Sequence, residues 1–226
     1  MKKYKVLICI KEKSQRVKNK NFITIKNNLP LFKIILHKLN KFQIFVDTDS
    51  KKIMKSISDD KKLKNVKVYM RKQKFINMES NNKNPGPYMI KNFLEEYVKN
   101  NNEPIILTHV TSPFLKQETL LNALKYMKKN YDSVASCNFI QKSAFIKDSK
   151  FRPINFSLKD QHKRTQNLKS VVILNSAFFI FRKKNFLKNL ERISNRNYFY
   201  ELNFPENIDI DYKADVVISK LLKKLI

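Results

Sequence analysis

A doubly wound, mostly parallel α/β sheet is the fold class this sequence predicts, on three observations. Short runs rich in Val, Ile and Phe recur almost unbroken, as buried parallel strands do. Stretches with apolar residues at helical spacing separate them, the alternation expected of right-handed crossover units. Hydrophobic residues make up 42% of the 226, and the chain carries seventeen Phe, so one domain with a sizeable core fits the length.

The expected strands are 4–10 (YKVLICI), 43–48 (QIFVDT), 66–70 (VKVYM), 104–110 (PIILTHV), 133–137 (SVASC) and 176–181 (SAFFIF). A helix over 29–41 places Leu31, Ile34, Ile35 and Leu39 on one face. A short helix follows Ser50 in the run SKKIMKSI. The helix over 86–100 opens with Pro87 in its first turn, where proline is well tolerated. Helices over 116–130 and 211–225 complete the set. The polar stretch 139–170 breaks this rhythm and is expected as an excursion from the single domain over 1–226: a hairpin, an arm or a dimer contact.

Gly86 is the only glycine, against an average usage of about 7%. Left-handed turn positions then fall to Asn, Asp or Lys, and the abundant Asn tolerates that conformation best. Lys plus Arg number 47 against 19 Asp plus Glu, a formal net charge of +28. Such a balance attracts polyanions: nucleic acid, anionic membrane or phosphorylated ligands. Asn-Lys strings are nevertheless spread along the chain, the pattern a composition bias produces. Cys9 and Cys137 lie in apolar, strand-like runs and read as two buried thiols of a cytosolic protein rather than a disulfide. The N-terminal apolar run is five residues long before charge returns. Nothing approaches the roughly 18 apolar residues of a membrane span, and a cytoplasmic protein is expected.

Ligands of doubly wound sheets bind at the carboxyl ends of the strands. After the first strand come Lys11, Lys13, Ser14, Arg16, Lys18 and Lys20. A nucleoside triphosphate carries about four negative charges and is held by several cations, hydroxyls and backbone donors. Nucleic acid favours cations along a helix face or an open groove with exposed aromatics, and Phe22 is the one aromatic of this segment. The second strand ends in Asp47 and Asp49, which either cap the next helix or hold Ser50 in place. The fourth ends in His109, Thr111 and Ser112, whose polar groups donate to a ligand or terminate the strand. Asp209 and Asp211 alternate along an extended segment, so both carboxylates face one side. Such hard-oxygen pairs suit a Mg²⁺ that also ligates phosphates; Asp211 as N-cap of the last helix is the alternative.

The order of these motifs resembles the cytidylyltransferases that activate acidic sugars: the acylneuraminate (CMP-sialic acid) synthetases and, more distantly, the CMP-KDO synthetases. The likeness runs through LICIKEKSQRVKNKN (7–21), VDTDS (46–50), THVTSPFL (108–115), QNLKSVVILNSAFFIF (166–181) and ENIDIDYKAD (206–215). It implies a Rossmann-like fold of the nucleotide-diphospho-sugar transferase type, with 139–170 as a small protruding dimerisation element. It implies that the anomeric hydroxyl of a sialic-acid-like, nine-carbon sugar acid attacks the α-phosphate of CTP, releasing pyrophosphate, with Mg²⁺ as cofactor and a homodimer as the assembly. By the same likeness Lys11, Ser14, Lys20 and Asn21 match triphosphate-holding positions, and Arg71 a nucleotide-contacting arginine. Thr111 and Ser112 fall in the nucleotide segment, and His109 and Asn175 at the sugar. Asp209 and Asp211 match the Mg²⁺ carboxylates, with Lys20 and Asp211 as the expected catalytic residues.

The chain departs from that pattern at several places. Lys11 stands for an arginine, which keeps charge and loses the fork. Glu12 and Lys13 stand where small residues are usual, His109 for a glutamine and Ser176 for a glycine. An acidic residue expected at Met78 is displaced to Glu79. Two alternatives stay open: a degenerate member that binds nucleic acid or another polyanion through its charge, and a nucleotidyltransferase for another sugar such as KDO.

Overall fold

The computed structural model describes residues 4–14, 16–160 and 162–226; Gln161 of the predicted excursion lies outside them. Seven strands among these residues form one sheet: β1 (Lys5–Ile10), β2 (Gln43–Thr48), β3 (Val66–Met70), β4 (Pro104–Thr108), β5 (Ser133–Ile140), β6 (Val171–Arg182) and β7 (Asn197–Glu201). Their spatial order is β7-β5-β6-β4-β1-β2-β3. β6 runs antiparallel to both neighbours, and the other pairs are parallel. The order reverses at β1, beside β4, where such sheets open a crevice at the carboxyl ends of their strands.

Helices cover both faces, as the nearly continuous apolar strands require. They are α1 (Leu31–Lys38), α2 (Lys51–Ser58), α3 (Gln73–Ser80), α4 (Gly86–Tyr97), α5 (Gln117–Tyr126), α6 (Lys183–Asn189) and α7 (Lys213–Leu221). Alternate residues of β1 divide between the two layers. Val6, Ile8 and Ile10 pack with Phe32, Ile35 and Leu36 of α1, Ile53 of α2 and Leu120 of α5. Leu7 packs on the opposite face with Phe93 and Leu94 of α4 and Phe186 of α6. Each such fully buried side chain contributes about 1.5–3 kcal/mol of transfer free energy. Leu31, Ile34, Ile35 and Leu39, predicted to share a face, are all buried.

Several details differ from the prediction. β7, α3 and α6 are not among the predicted elements, because their patterns are short and weak: Phe75 alone is buried in α3, and Phe199 of β7 faces solvent. Ser50 itself caps α2, its Oγ accepting from the Ile53 N–H at 3.3 Å, so neither Asp47 nor Asp49 is the cap. Asp211 does not cap α7; Tyr212 holds that position, and Asp215 accepts from the Asp211 N–H at 2.9 Å. Both cysteines are free thiols, Cys137 buried and Cys9 half-buried.

Of the residues with positive φ, Asn19, Asn27, Asn28, Asn82 and Asn130 are asparagines, joined by Ser176 and Leu190. Gly86 is not among them; it opens α4 with its N–H donated to Asn84 Oδ1 at 2.9 Å. Asparagine therefore carries five of these seven left-handed positions, the share expected where glycine is nearly absent.

The excursion is a ribbon and less polar than its sequence suggests. β6 starts early, pairing Val171–Leu174 with Cys137–Ile140, and a hairpin of Phe145–Lys147 with Phe151–Pro153 extends it. Phe145, Ile146, Phe151, Ile154 and Leu158 lie exposed there, Phe151 at 67%.

Candidate active site

The segment after β1 folds back as a compact loop rather than lying along a helix. Lys20–Phe22 closes it in a single 3₁₀ turn, entered through Asn19 at φ 55°. The buried Asn21 side chain donates to the Lys11 carbonyl at 2.6 Å, tying the two ends of the loop together. The backbone N–H of Glu12 donates to Asp49 Oδ1 at 2.7 Å, and the Glu12 side chain points to solvent. The glutamate thereby avoids the cleft that a glycine would have left open.

That cleft has a volume of about 410 Å³ and is walled by Lys11, Lys13, Ser14, Arg16 and Lys20 on one side and Thr111, Ser176, Asp209 and Asp211 on the other. A second lobe of about 490 Å³ adjoins it, lined by Arg71, Glu79, Lys83 and Arg192 together with the start of α4. Cys9, Lys11 and His109 belong to both lobes and form the ridge between them.

The charged groups are paired in a definite pattern. Lys20 Nζ donates to the Ile210 carbonyl at 2.8 Å and to Asp211 Oδ1 at 3.2 Å. Arg16 Nη1 stands 2.8 Å from Asp211 Oδ2. Asp209 is different: its Oδ1 is buried without a hydrogen-bond partner, and burial pushes its carboxyl up despite a bond from Thr111 and the nearby Lys20. Burial and the neighbouring Arg71 lower the Lys11 ammonium, which pairs with Glu79.

Beneath the second lobe Arg71 is completely buried, its Nε 2.7 Å from Asp47 Oδ1 and its Nη1 without a hydrogen-bond partner. Asp49 and Glu79 stand 3.9 and 3.6 Å from that Nη1. Glu79, one residue along from the predicted acidic position, thus lies between Lys11 and Arg71. Burial, with Arg192 and Lys20 nearby, lowers His109 to about 4, so its imidazole is neutral near pH 7. Burial and Asp47 push the Cys9 thiol up to about 12, so it carries no thiolate there.

Of the predicted residues, Lys11, Ser14, Lys20, Asn21, His109, Thr111, Asp209 and Asp211 come together around the first lobe, and Arg71 lines the second. Two do not reach the cleft lining. Ser112 is buried behind it with an unpartnered Oγ, and Asn175 donates to Asn138 Oδ1 at 2.8 Å. Ser176 lines the cleft next to Asn175 because a bulge in β6 between Leu174 and Phe179 turns it there, at φ 58°. Arg192 enters the site from the segment after the unpredicted α6, its guanidinium 4.1 Å from the centroid of Phe179. Arg16, given no role of its own by the sequence, is a partner of Asp211.

What the arrangement suits chemically is a polyphosphate: several cations and a hydroxyl converge opposite two carboxylates. No group of three or more His, Cys, Asp or Glu forms a metal cage among the described residues. The pair Asp209 and Asp211 nonetheless fits Mg²⁺, which binds through one or two carboxylates and takes its remaining ligands from phosphates and water. The orphaned Oδ1 of Asp209 is the kind of donor such an ion satisfies.

A family model described as cytidylyltransferase matches residues 6–216. An N-acylneuraminate cytidylyltransferase of Streptococcus agalactiae serotype III (strain NEM316) is 27% identical over 182 residues, 79% of this chain and 42% of that protein. Its counterpart from serotype V (strain ATCC BAA-611 / 2603 V/R) is 28% identical over 183 residues. The chain therefore spans 42% of the length of these curated relatives. Among solved structures, a CMP:2-keto-3-deoxy-manno-octonic acid synthetase complexed with CTP superposes with a TM-score of 0.67 at 13% identity, covering all of both chains. A 4-diphosphocytidyl-2C-methyl-D-erythritol synthase from Anaerococcus prevotii DSM 20548 gives 0.65 at 12%, covering 98% of this chain and 96% of that one. At such identities these two likenesses concern the fold.

Proposed function

Because the chain belongs to the cytidylyltransferase family, we propose that it transfers CMP from CTP to the anomeric hydroxyl of an acidic, sialic-acid-like sugar. In that reaction the sugar oxygen forms a bond to the α-phosphorus, the α–β phosphoanhydride bond breaks, and pyrophosphate leaves as the hydroxyl proton is released. The observation that carries the reading is the first lobe: Lys11, Lys13, Ser14, Arg16 and Lys20 face Asp209 and Asp211 across one cleft at the strand ends.

On this reading the chain contributes position and charge, which supply most of the catalysis in phosphoryl-type transfers. Lys20 and Ser14 hold the phosphates, and Asn21 keeps the loop closed by its bond to the Lys11 carbonyl. Arg71 is fixed by Asp47 so that its guanidinium, whose Nη1 makes no hydrogen bond, faces the nucleotide in the second lobe. Neutral His109, on the ridge between the lobes, orients a sugar hydroxyl without adding charge. Asp209 and Asp211 would hold Mg²⁺, which, when bound, neutralises charge on phosphate oxygens. The exposed apolar residues of the 139–174 ribbon are, on the same reading, the contact for a second copy, and the reaction belongs to the cytoplasm.

Pyrophosphate release tests the proposal, with Mg²⁺, each of CTP, ATP, GTP and UTP, and a panel of sialic, legionaminic, pseudaminic and KDO sugars. Release with CTP and one nine-carbon acid is expected. Release with KDO alone corrects the sugar, a preference for another nucleotide corrects the base, and silence with every pair refutes the reaction.

A further inference from the structure

Asp209 and Asp211 line the same cleft but are not equivalent. Asp209 Oδ1 is buried and bare. Asp211 is taken up on both oxygens, by Lys20 at 3.2 Å on Oδ1 and by Arg16 at 2.8 Å on Oδ2. Any divalent ion that uses Asp211 has to compete with a cation of the chain itself.

The two cations are held differently. Lys20 has a second anchor in the Ile210 carbonyl at 2.8 Å, and its side chain is 13% exposed. Arg16 is 54% exposed and reaches Asp211 from the rim of the loop. Its remaining support is Tyr212, whose ring centroid lies 5.6 Å from the guanidinium carbon. Tyr212 is itself exposed. An exposed ion pair of this kind is weak and readily exchanged. Arg16 is therefore the cation that can leave, and Lys20 the one that stays.

We infer that Arg16 is a resident counter-cation: it occupies Asp211 in the ligand-free protein and must swing off before a divalent ion can use that carboxylate. The inference rests on the reading of Asp211 as a metal ligand. It makes Arg16 a positioning residue that lowers the affinity of the empty cleft for divalent ions. A triphosphate entering the cleft offers the guanidinium another anion and frees Asp211 at the same moment.

The test is a Mn²⁺ titration of the full chain without nucleotide, with free Mn²⁺ measured by electron paramagnetic resonance. Removing the competitor in Arg16→Ala is expected to lower the Mn²⁺ Kd about three- to fivefold, the scale of an exposed ion pair. Lys13→Ala removes the same charge from the same cleft but not one of the cations paired with Asp211, and is expected to change Kd by less than about 1.5-fold, since a charge in the cleft that is not paired with that carboxylate is screened by solvent. Combining Arg16→Ala with Asp211→Asn should abolish the gain. No gain from Arg16→Ala, or equal gains from Arg16→Ala and Lys13→Ala, overturns the inference. Asp211→Asn titrated with CTP present tests the underlying reading separately. Unchanged Mn²⁺ binding there refutes Asp211 as a ligand. Weakened binding there, with no gain from Arg16→Ala, refutes the counter-cation alone.

Discussion

Replacing Asp47 by Asn keeps its shape and removes the charge that faces a fully buried guanidinium. Asp47 Oδ1 lies 2.7 Å from Arg71 Nε, with the two side chains 4% and 0% exposed. Breaking one half of such a buried pair costs about 3–5 kcal/mol, because the other charge remains without its partner. Here Asp49 and Glu79, at 3.9 and 3.6 Å from Arg71 Nη1, retain part of the compensation. Both are partly exposed and weakened by solvent, so the lower end, about 3 kcal/mol, is the expected loss. For a chain of this size that corresponds to a fall in Tm of roughly 6–12 °C. Urea unfolding followed by circular dichroism, with calorimetry for Tm, measures both quantities. Asp49→Asn, which removes a longer and more exposed contact, should cost no more than about 1 kcal/mol. Asp47→Leu combined with Arg71→Met should recover stability to within about 1 kcal/mol of wild type, since apolar replacements of buried pairs are often neutral. The same double variant should still bind CTP poorly, having lost the guanidinium of the second lobe. A loss below about 1 kcal/mol in Asp47→Asn would show that Arg71 does not depend on Asp47, and the account of how it is positioned would fail.

Three further outcomes are expected. Lys20→Ala should weaken CTP binding by about 1.5–3 kcal/mol, roughly 10- to 150-fold, the value of a hydrogen bond to a charged group. Lys18→Ala, at an exposed position off the cleft lining, should change it little; equal effects in calorimetric titrations would point to diffuse charge instead. Asp211→Asn should lower Mg²⁺-dependent turnover on the order of 100-fold while far-UV circular dichroism stays unchanged, and turnover at the wild-type rate would remove the metal role. His109 has its folded-state value lowered from 6.5 to about 4, so the unfolded chain binds the extra proton first as pH falls. Its stabilising contribution is complete above about pH 6.5 and is lost between there and about pH 4. His109→Gln should flatten the slope of stability against pH in that window, and an unchanged slope would place the titration elsewhere.

The alternation of apolar runs with helical patterns is enough to read six of the seven sheet strands, because most of them are buried on both faces and leave a nearly continuous apolar signal. β7 left none, since an edge strand of half-buried tyrosines looks like a loop. The loop after β1 was legible by the kinds of residue it holds, but not by their pairing. Nothing in the spacing of Asp47 and Arg71 predicts a buried ion pair, because their closeness comes from the parallel register of β2 and β3, in which Thr48 lies beside Met70. Arg16 shows the reverse difficulty. In a chain with 47 basic residues, one more cation carries no information until the fold brings Asp211 to meet it. Asn175 and Ser176 show a third: a bulge shifts which of two neighbours faces the cleft, and sequence periodicity has no means of locating it.

β6 belongs to two parts of the molecule at once. Its first residues lie in the ribbon, its bulge sits on the cleft wall at Ser176, and its last residues run through the apolar core. One strand therefore carries the ribbon, the cleft wall at Ser176 and part of the core, so the place of Ser176 is tied to both ends of β6.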